Sequence, residues 1–167
     1  KTHGFCTIGD KSKTPNILLW GDSHGGSLAV GMDRTLGNQS AHVLTTGGCP
    51  ALLNTSRSIN GVPDQNCNDI ARDFESNFNA IDNDIDTVIL SMRWSRHITP
   101  STFDNGEGGV ETLDKDVRLI DIDGNDMNAK TAIENTVQYF KNKNKRVIIT
   151  YPIPEMGWDV QKILIRQ

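Results

Sequence analysis

Short apolar runs alternate with amphipathic stretches along most of this 167-residue chain, and that alternation restricts its fold more than any other feature. Residues 16–20 carry Ile17-Leu18-Leu19-Trp20, residues 87–91 carry Val88-Ile89-Leu90, and residues 146–150 carry Val147-Ile148-Ile149. With the shorter run 42–45, each reads as a buried strand. Residues 25–36 space Leu28, Met32 and Leu36 as a helix would. Residues 67–81 do the same with Ile70, Ala71, Phe74, Phe78 and Ile81, and residues 128–143 with Ala132, Ile133, Val137 and Phe140. The pattern predicts an α/β protein: a three-layer α/β/α sandwich around a mostly parallel, flavodoxin-like sheet covered on both faces. Such sheets place their chemistry at the carboxyl ends of the strands. Ser23, Gly48, Arg93 and Pro152 all fall at or just past those ends.

The first strand runs directly into Gly21-Asp22-Ser23-His24. Gly21 marks a sharp turn, and Ser23 sits where a strand ends and a helix begins. Backbone N–H groups there lack intrahelical acceptors, and the helix dipole favours developing negative charge. A serine hydroxyl in that position is a candidate nucleophile with part of an oxyanion site at hand. A plain βα turn closed by an Asp or Ser cap explains the same four residues. His24 reads as a local turn residue, with substrate contact as the alternative, because catalytic partners meet in space rather than along the chain.

The formal net charge of −4 argues against a nucleic-acid surface, which would need a basic face. No run is long enough to cross a bilayer, so direct membrane insertion is not expected, and no secretory leader is seen at Lys1. Residues 1–15 read as a polar lead-in, and residues 47–65 as a long loop. Residues 98–127 break the alternation and form an acidic insertion, in which residues 111–113 and 116–122 could pair as a small hairpin. Asp121-Ile122-Asp123-Gly124-Asn125-Asp126 invites comparison with a calcium loop. The sixth and twelfth positions, which need Gly and Glu, hold Asp126 and Ala132 instead. An acidic turn before a helix is expected, with no metal and no cofactor. The basic run from Lys141 to Arg146 reads as a solvated helix end.

Gly-Asp-Ser after the first strand resembles the opening block of the SGNH, or GDSL-like, hydrolases. The longer string Ile17 to His24 is similar to one branch: the SGNH domain fused behind membrane-bound acyltransferases that O-acetylate bacterial surface polysaccharides. Gly47-Gly48-Cys49-Pro50, Val88-Ile89-Leu90-Ser91-Met92-Arg93-Trp94 and Tyr151-Pro152-Ile153-Pro154-Glu155-Met156-Gly157 resemble three further segments of that branch, in the expected order. The resemblance implies a single domain over residues 1–167 with Ser23 as nucleophile. Oxyanion donors would come from Ser23 and Gly48. It leaves His24, Arg93 and Trp94 as possible substrate contacts; Trp94 and Trp158 could stack on a sugar, though tryptophans so placed are more often simply packed.

Two departures qualify the likeness. Most SGNH enzymes carry an Asn after the third strand, where this chain has Met92-Arg93-Trp94-Ser95; Arg93 is a possible substitute donor. The family's acid and base sit in an Asp-x-x-His motif, and none occurs here; the histidines are His3, His24, His42 and His97. The final strand and helix, with that motif, are therefore expected beyond Gln167; another histidine serving as base is the alternative. Asp22 is expected to cap rather than to serve as the acid.

Of three cysteine pairings, Cys49–Cys67 is favoured by the resemblance and by the loop it would close; three reduced thiols are the alternative. Together these readings imply an acetyltransferase or esterase acting on cell-surface polysaccharide or an acetylated sugar. It would be periplasmic and tethered to the inner membrane through an acyltransferase domain of the same parent chain. A non-catalytic carbohydrate-binding or scaffolding module on the same fold is the alternative.

Overall fold

The computed structural model describes residues 4–99 and 116–153. Strands β1 (Cys6–Gly9), β2 (Ile17–Gly21), β3 (Ser40–Thr45), β6 (Thr87–Ser91) and β8 (Arg146–Ile149) form one sheet in the order β1-β3-β2-β6-β8. Only β1 is antiparallel. The parallel strands thus lie second, first, third, fourth by chain order, the flavodoxin-like arrangement expected from the alternation. The chain leaves β2 toward β3 and then returns to β6 on the other side. The switch point is the crevice between β2 and β6.

The helices are α1 (Ser23–Thr35), α2 (Gln65–Asn79), α3 (Trp94–Ile98) and α4 (Ala129–Asn142), with a 3-10 turn at Asp82–Asp84. Leu18, Trp20, Leu44, Val88 and Leu90 face α2 and α4, while α1 covers the opposite face. Trp20 stacks on Phe74 with centroids 3.6 Å apart, and Phe140 meets both rings edge-on. Such aromatic pairs add roughly 0.5–1.5 kcal/mol each beyond their burial. This cluster fixes β2 against α2 and therefore fixes the strand end that carries the site.

Several elements depart from expectation. The lead-in contains the edge strand β1, whose sequence Cys-Thr-Ile-Gly shows too little apolar pattern to reveal it. Residues 47–65 are not a loop throughout. β4 (Thr55–Ile59) and β5 (Val62–Pro63) form a hairpin across Asn60 and Gly61, both at positive φ (52° and 78°). Asn-Gly at a two-residue turn is the strongest short-range hairpin signal. The strand of residues 117–121, β7 (Val117–Asp121), pairs antiparallel with β4; residues 111–113, its expected partner, lie outside the described residues. In the acidic turn Asp121 Oδ1 accepts the N–H groups of Asp123 and Asn125, so that carboxylate serves the turn itself. The basic helix end is only partly solvated: Lys143 and Lys145 both pair with Asp82 at 2.7 and 2.8 Å. Burial would raise the Asp82 carboxyl, but hydrogen bonds from the two lysines outweigh it and hold the group below its ordinary range.

Candidate active site at the switch point

The helix begins two residues earlier than its apolar spacing suggests, so Ser23 is its first residue and Asp22 its cap. Asp22 is 1 % exposed. Its Oδ1 accepts the His24 N–H at 2.8 Å. Its Oδ2 accepts the Arg93 N–H at 2.8 Å and faces His97 Nε2 at 3.4 Å. A carboxylate only accepts, so the imidazole donates through Nε2. Burial pushes the Asp22 carboxyl upward, yet the hydrogen bonds from His97, Arg93 and His24 prevail and hold it below its ordinary value. Asp22 therefore ties the turn after β2 to the turn after β6, across the switch point.

Ser23 itself is exposed, with its side chain on the solvent side of that buried anchor. The glycine before it is required by packing. A β-carbon on Gly21 would overlap the Ser91 carbonyl oxygen, and one on Gly25 would lie 2.7 Å from the same atom. The first turn of α1 thus rests directly on the end of β6.

The loop after β3 lies alongside. Thr46 donates its N–H to the Gly21 carbonyl at 3.1 Å, and Cys49 donates to the Thr46 carbonyl at 3.1 Å. That closes a turn over Gly47 and Gly48, with Gly48 at φ 74°, the position where a type II turn needs glycine. The turn's own hydrogen bond does not use the Gly48 N–H, which has no acceptor among the described residues. Two bonds anchor the loop to the start of α2. Cys49 and Cys67 form a disulfide, and the Arg57 guanidinium packs on Gly48 while donating from Nε and Nη2 to Asp64, the α2 cap, at 2.9 and 2.8 Å. Closing a loop of that length contributes roughly 3 kcal/mol through the unfolded state.

The candidate residues separate into two groups. The strand order brings the turns bearing Ser23, Gly48 and Arg93 to one edge of the sheet. His24 stands half-buried in the first turn of α1, its Nδ1 without a partner among the described residues. Trp94 does not fit a sugar-stacking role: it is 4 % exposed and belongs to the central cluster, because α3 turns it inward. Trp158 lies outside the described residues, as does the segment from Pro154 onward. His97, which composition and spacing do not single out, is the buried partner of Asp22, one helical turn beyond Arg93. Its ring is 1 % exposed and makes no hydrogen bond to Ser23. It is placed to support the turn, not to take a proton from a hydroxyl in solvent.

An α/β/α domain with an exposed serine on the first strand-to-helix turn, beside a glycine loop at the switch point, is consistent with the esterase and acyltransferase superfamily that contains the SGNH domains. A family model described as "SGNH domain (fused to AT3 domains)" matches residues 1–167, and the chain belongs to that family. No curated protein and no solved structure matches it.

Proposed function

We propose that Ser23 carries an acetyl group in the transfer of acetyl to, or its removal from, a bacterial cell-surface polysaccharide. The observation that carries this reading is the exposed Ser23 at the α1 N-terminus, locked from below by Asp22 and flanked by the Gly48 turn. Ser23 Oγ would bond to the acetyl carbon while the carbonyl π pair moves onto oxygen. The Ser23 and Gly48 N–H groups would hold that charge, each such donor typically worth roughly 3 kcal/mol of barrier. The hydroxyl proton passes to a base, the leaving alkoxide departs with its bonding pair, and a sugar hydroxyl or water then resolves the acetyl-serine.

His97 is committed to Asp22, so this reading takes its base from an Asp-x-x-His segment of the kind the resemblance implies. It places the domain on the periplasmic side, tethered through the AT3 acyltransferase domain for which the family is described. No helix among the described residues is long and apolar enough to cross a membrane. The disulfide suits an oxidising compartment. The carbohydrate-binding alternative loses its best stacking platform with Trp94 in the core.

With p-nitrophenyl acetate, the chain is expected to release p-nitrophenolate slowly but above the buffer rate, and Ser23→Ala to return it to that rate. A longer chain bearing the Asp-x-x-His segment should be faster by about 10²-fold or more, the usual share of a general base. Equal rates for the parent sequence and Ser23→Ala would overturn the nucleophile assignment.

A further inference from the structure

We propose that Arg57 is a third donor to the oxyanion formed on Ser23, an inference that rests on the acyl-serine reading above. Arg57 lies on β4 opposite Leu119, which is buried, so its side chain faces the body of the domain. The side chain is 13 % exposed. Its Nε and Nη2 are both engaged by Asp64 Oδ2, at 2.9 and 2.8 Å. Nη1 has no hydrogen-bond partner among the described residues, and it is the atom packed most closely on Gly48. A buried guanidinium held at two nitrogens presents the third in a fixed direction, with little rotamer freedom left to lose on binding. The direction is toward the Gly48 turn, whose N–H the acyl-serine reading assigns to the oxyanion.

Most SGNH enzymes supply a further donor from an Asn after the third strand, where this chain has Met92-Arg93-Trp94-Ser95. Arg93, the substitute suggested by sequence, donates its backbone N–H to Asp22; Arg57 is the guanidinium fixed beside Gly48. When Ser23 Oγ bonds to the carbonyl carbon and the π pair moves to oxygen, an Nη1–H of Arg57 shares the new charge with the Gly48 N–H. No proton is transferred, and the charge returns to the C=O bond as the leaving group departs.

The test is the rate of Ser23 modification by an alkyl fluorophosphonate. In that reaction Ser23 Oγ bonds to phosphorus, fluoride leaves with its bonding pair, and the hydroxyl proton goes to buffer. Loss of one oxyanion donor slows acylation by about 10²-fold, the change expected for Arg57→Gln. Arg57→Lys should restore only part of the rate, because an ammonium cannot keep the forked geometry. Asp64→Asn retains a competent helix cap and the guanidinium but releases its grip, and should slow labelling by a smaller factor. Should Arg57→Gln fail to fold, the other two variants decide. Labelling of the parent sequence with all folded variants within twofold of it would overturn the role of Arg57 and leave Ser23 standing. No labelling of Ser23 in the parent sequence would instead overturn the acyl-serine reading.

Discussion

Asp22→Ala is expected to destabilise the domain by about 3–5 kcal/mol at neutral pH, because each buried donor left unsatisfied costs about 1–3 kcal/mol. The substitution strands three donors at once: the N–H groups of His24 and Arg93 and the Nε2 of His97. Asp22→Asn is expected to recover only part of the loss, because the two oxygens accept from different donors and an amide offers a single acceptor. The effect has a defined pH dependence. The Asp22 carboxyl titrates lower in the folded protein than in the unfolded chain, where it lies near 3.9. Its contribution is therefore complete above that unfolded value and is lost as pH falls through the folded one. Urea unfolding of the parent and Asp22→Ala should show a gap that is constant from pH 7 to 5 and narrows below about 4. A gap under about 1 kcal/mol, or one that does not narrow in acid, would show that the carboxylate does not hold the turn.

Gly21→Ala is the second large effect. The added β-carbon would overlap the Ser91 carbonyl oxygen and lie 2.9 Å from the Gly25 α-carbon. Gly21 and Ser91 are register partners in adjacent parallel strands, so neither backbone can retreat without parting β2 from β6. Overpacking of this kind costs about 3 kcal/mol and sometimes more. Gly26→Ala is the matched control. Its β-carbon would meet only Thr45 Oγ1, at 3.7 Å, and a glycine replaced within a helix gains up to about 1 kcal/mol. Thermal or urea unfolding should move in opposite directions for the two variants. A Gly21→Ala protein as stable as the parent would mean that β2 and β6 separate freely at the switch point.

The parallel strands and their helices were legible because each strand is apolar on both faces and each helix shows a single apolar stripe. The hairpin was not, because β4 reads Thr-Ser-Arg-Ser-Ile and buries Thr55, Ser56 and Ser58. A strand that buries hydroxyls is invisible to hydropathy, and the Asn60-Gly61 turn was its only local mark. At the site, the position of Ser23 could be read from the strand-to-helix transition, and the cap role of Asp22 from its place before the helix. The support beneath it could not. His97 reaches Asp22 across 75 residues of sequence, and Arg57 reaches Gly48 through the packing of one sheet against the end of another. Of the two readings of Trp94, sugar platform or packed side chain, the second holds: a five-residue helix turns it into the core.

The most direct measurement is peptide mapping by mass spectrometry after exposure of the folded protein to a fluorophosphonate. The account expects one phosphonyl adduct, on the peptide bearing Ser23, absent from Ser23→Ala and from protein unfolded beforehand in urea. An adduct that persists in Ser23→Ala, or none on that peptide in the folded chain, would contradict it.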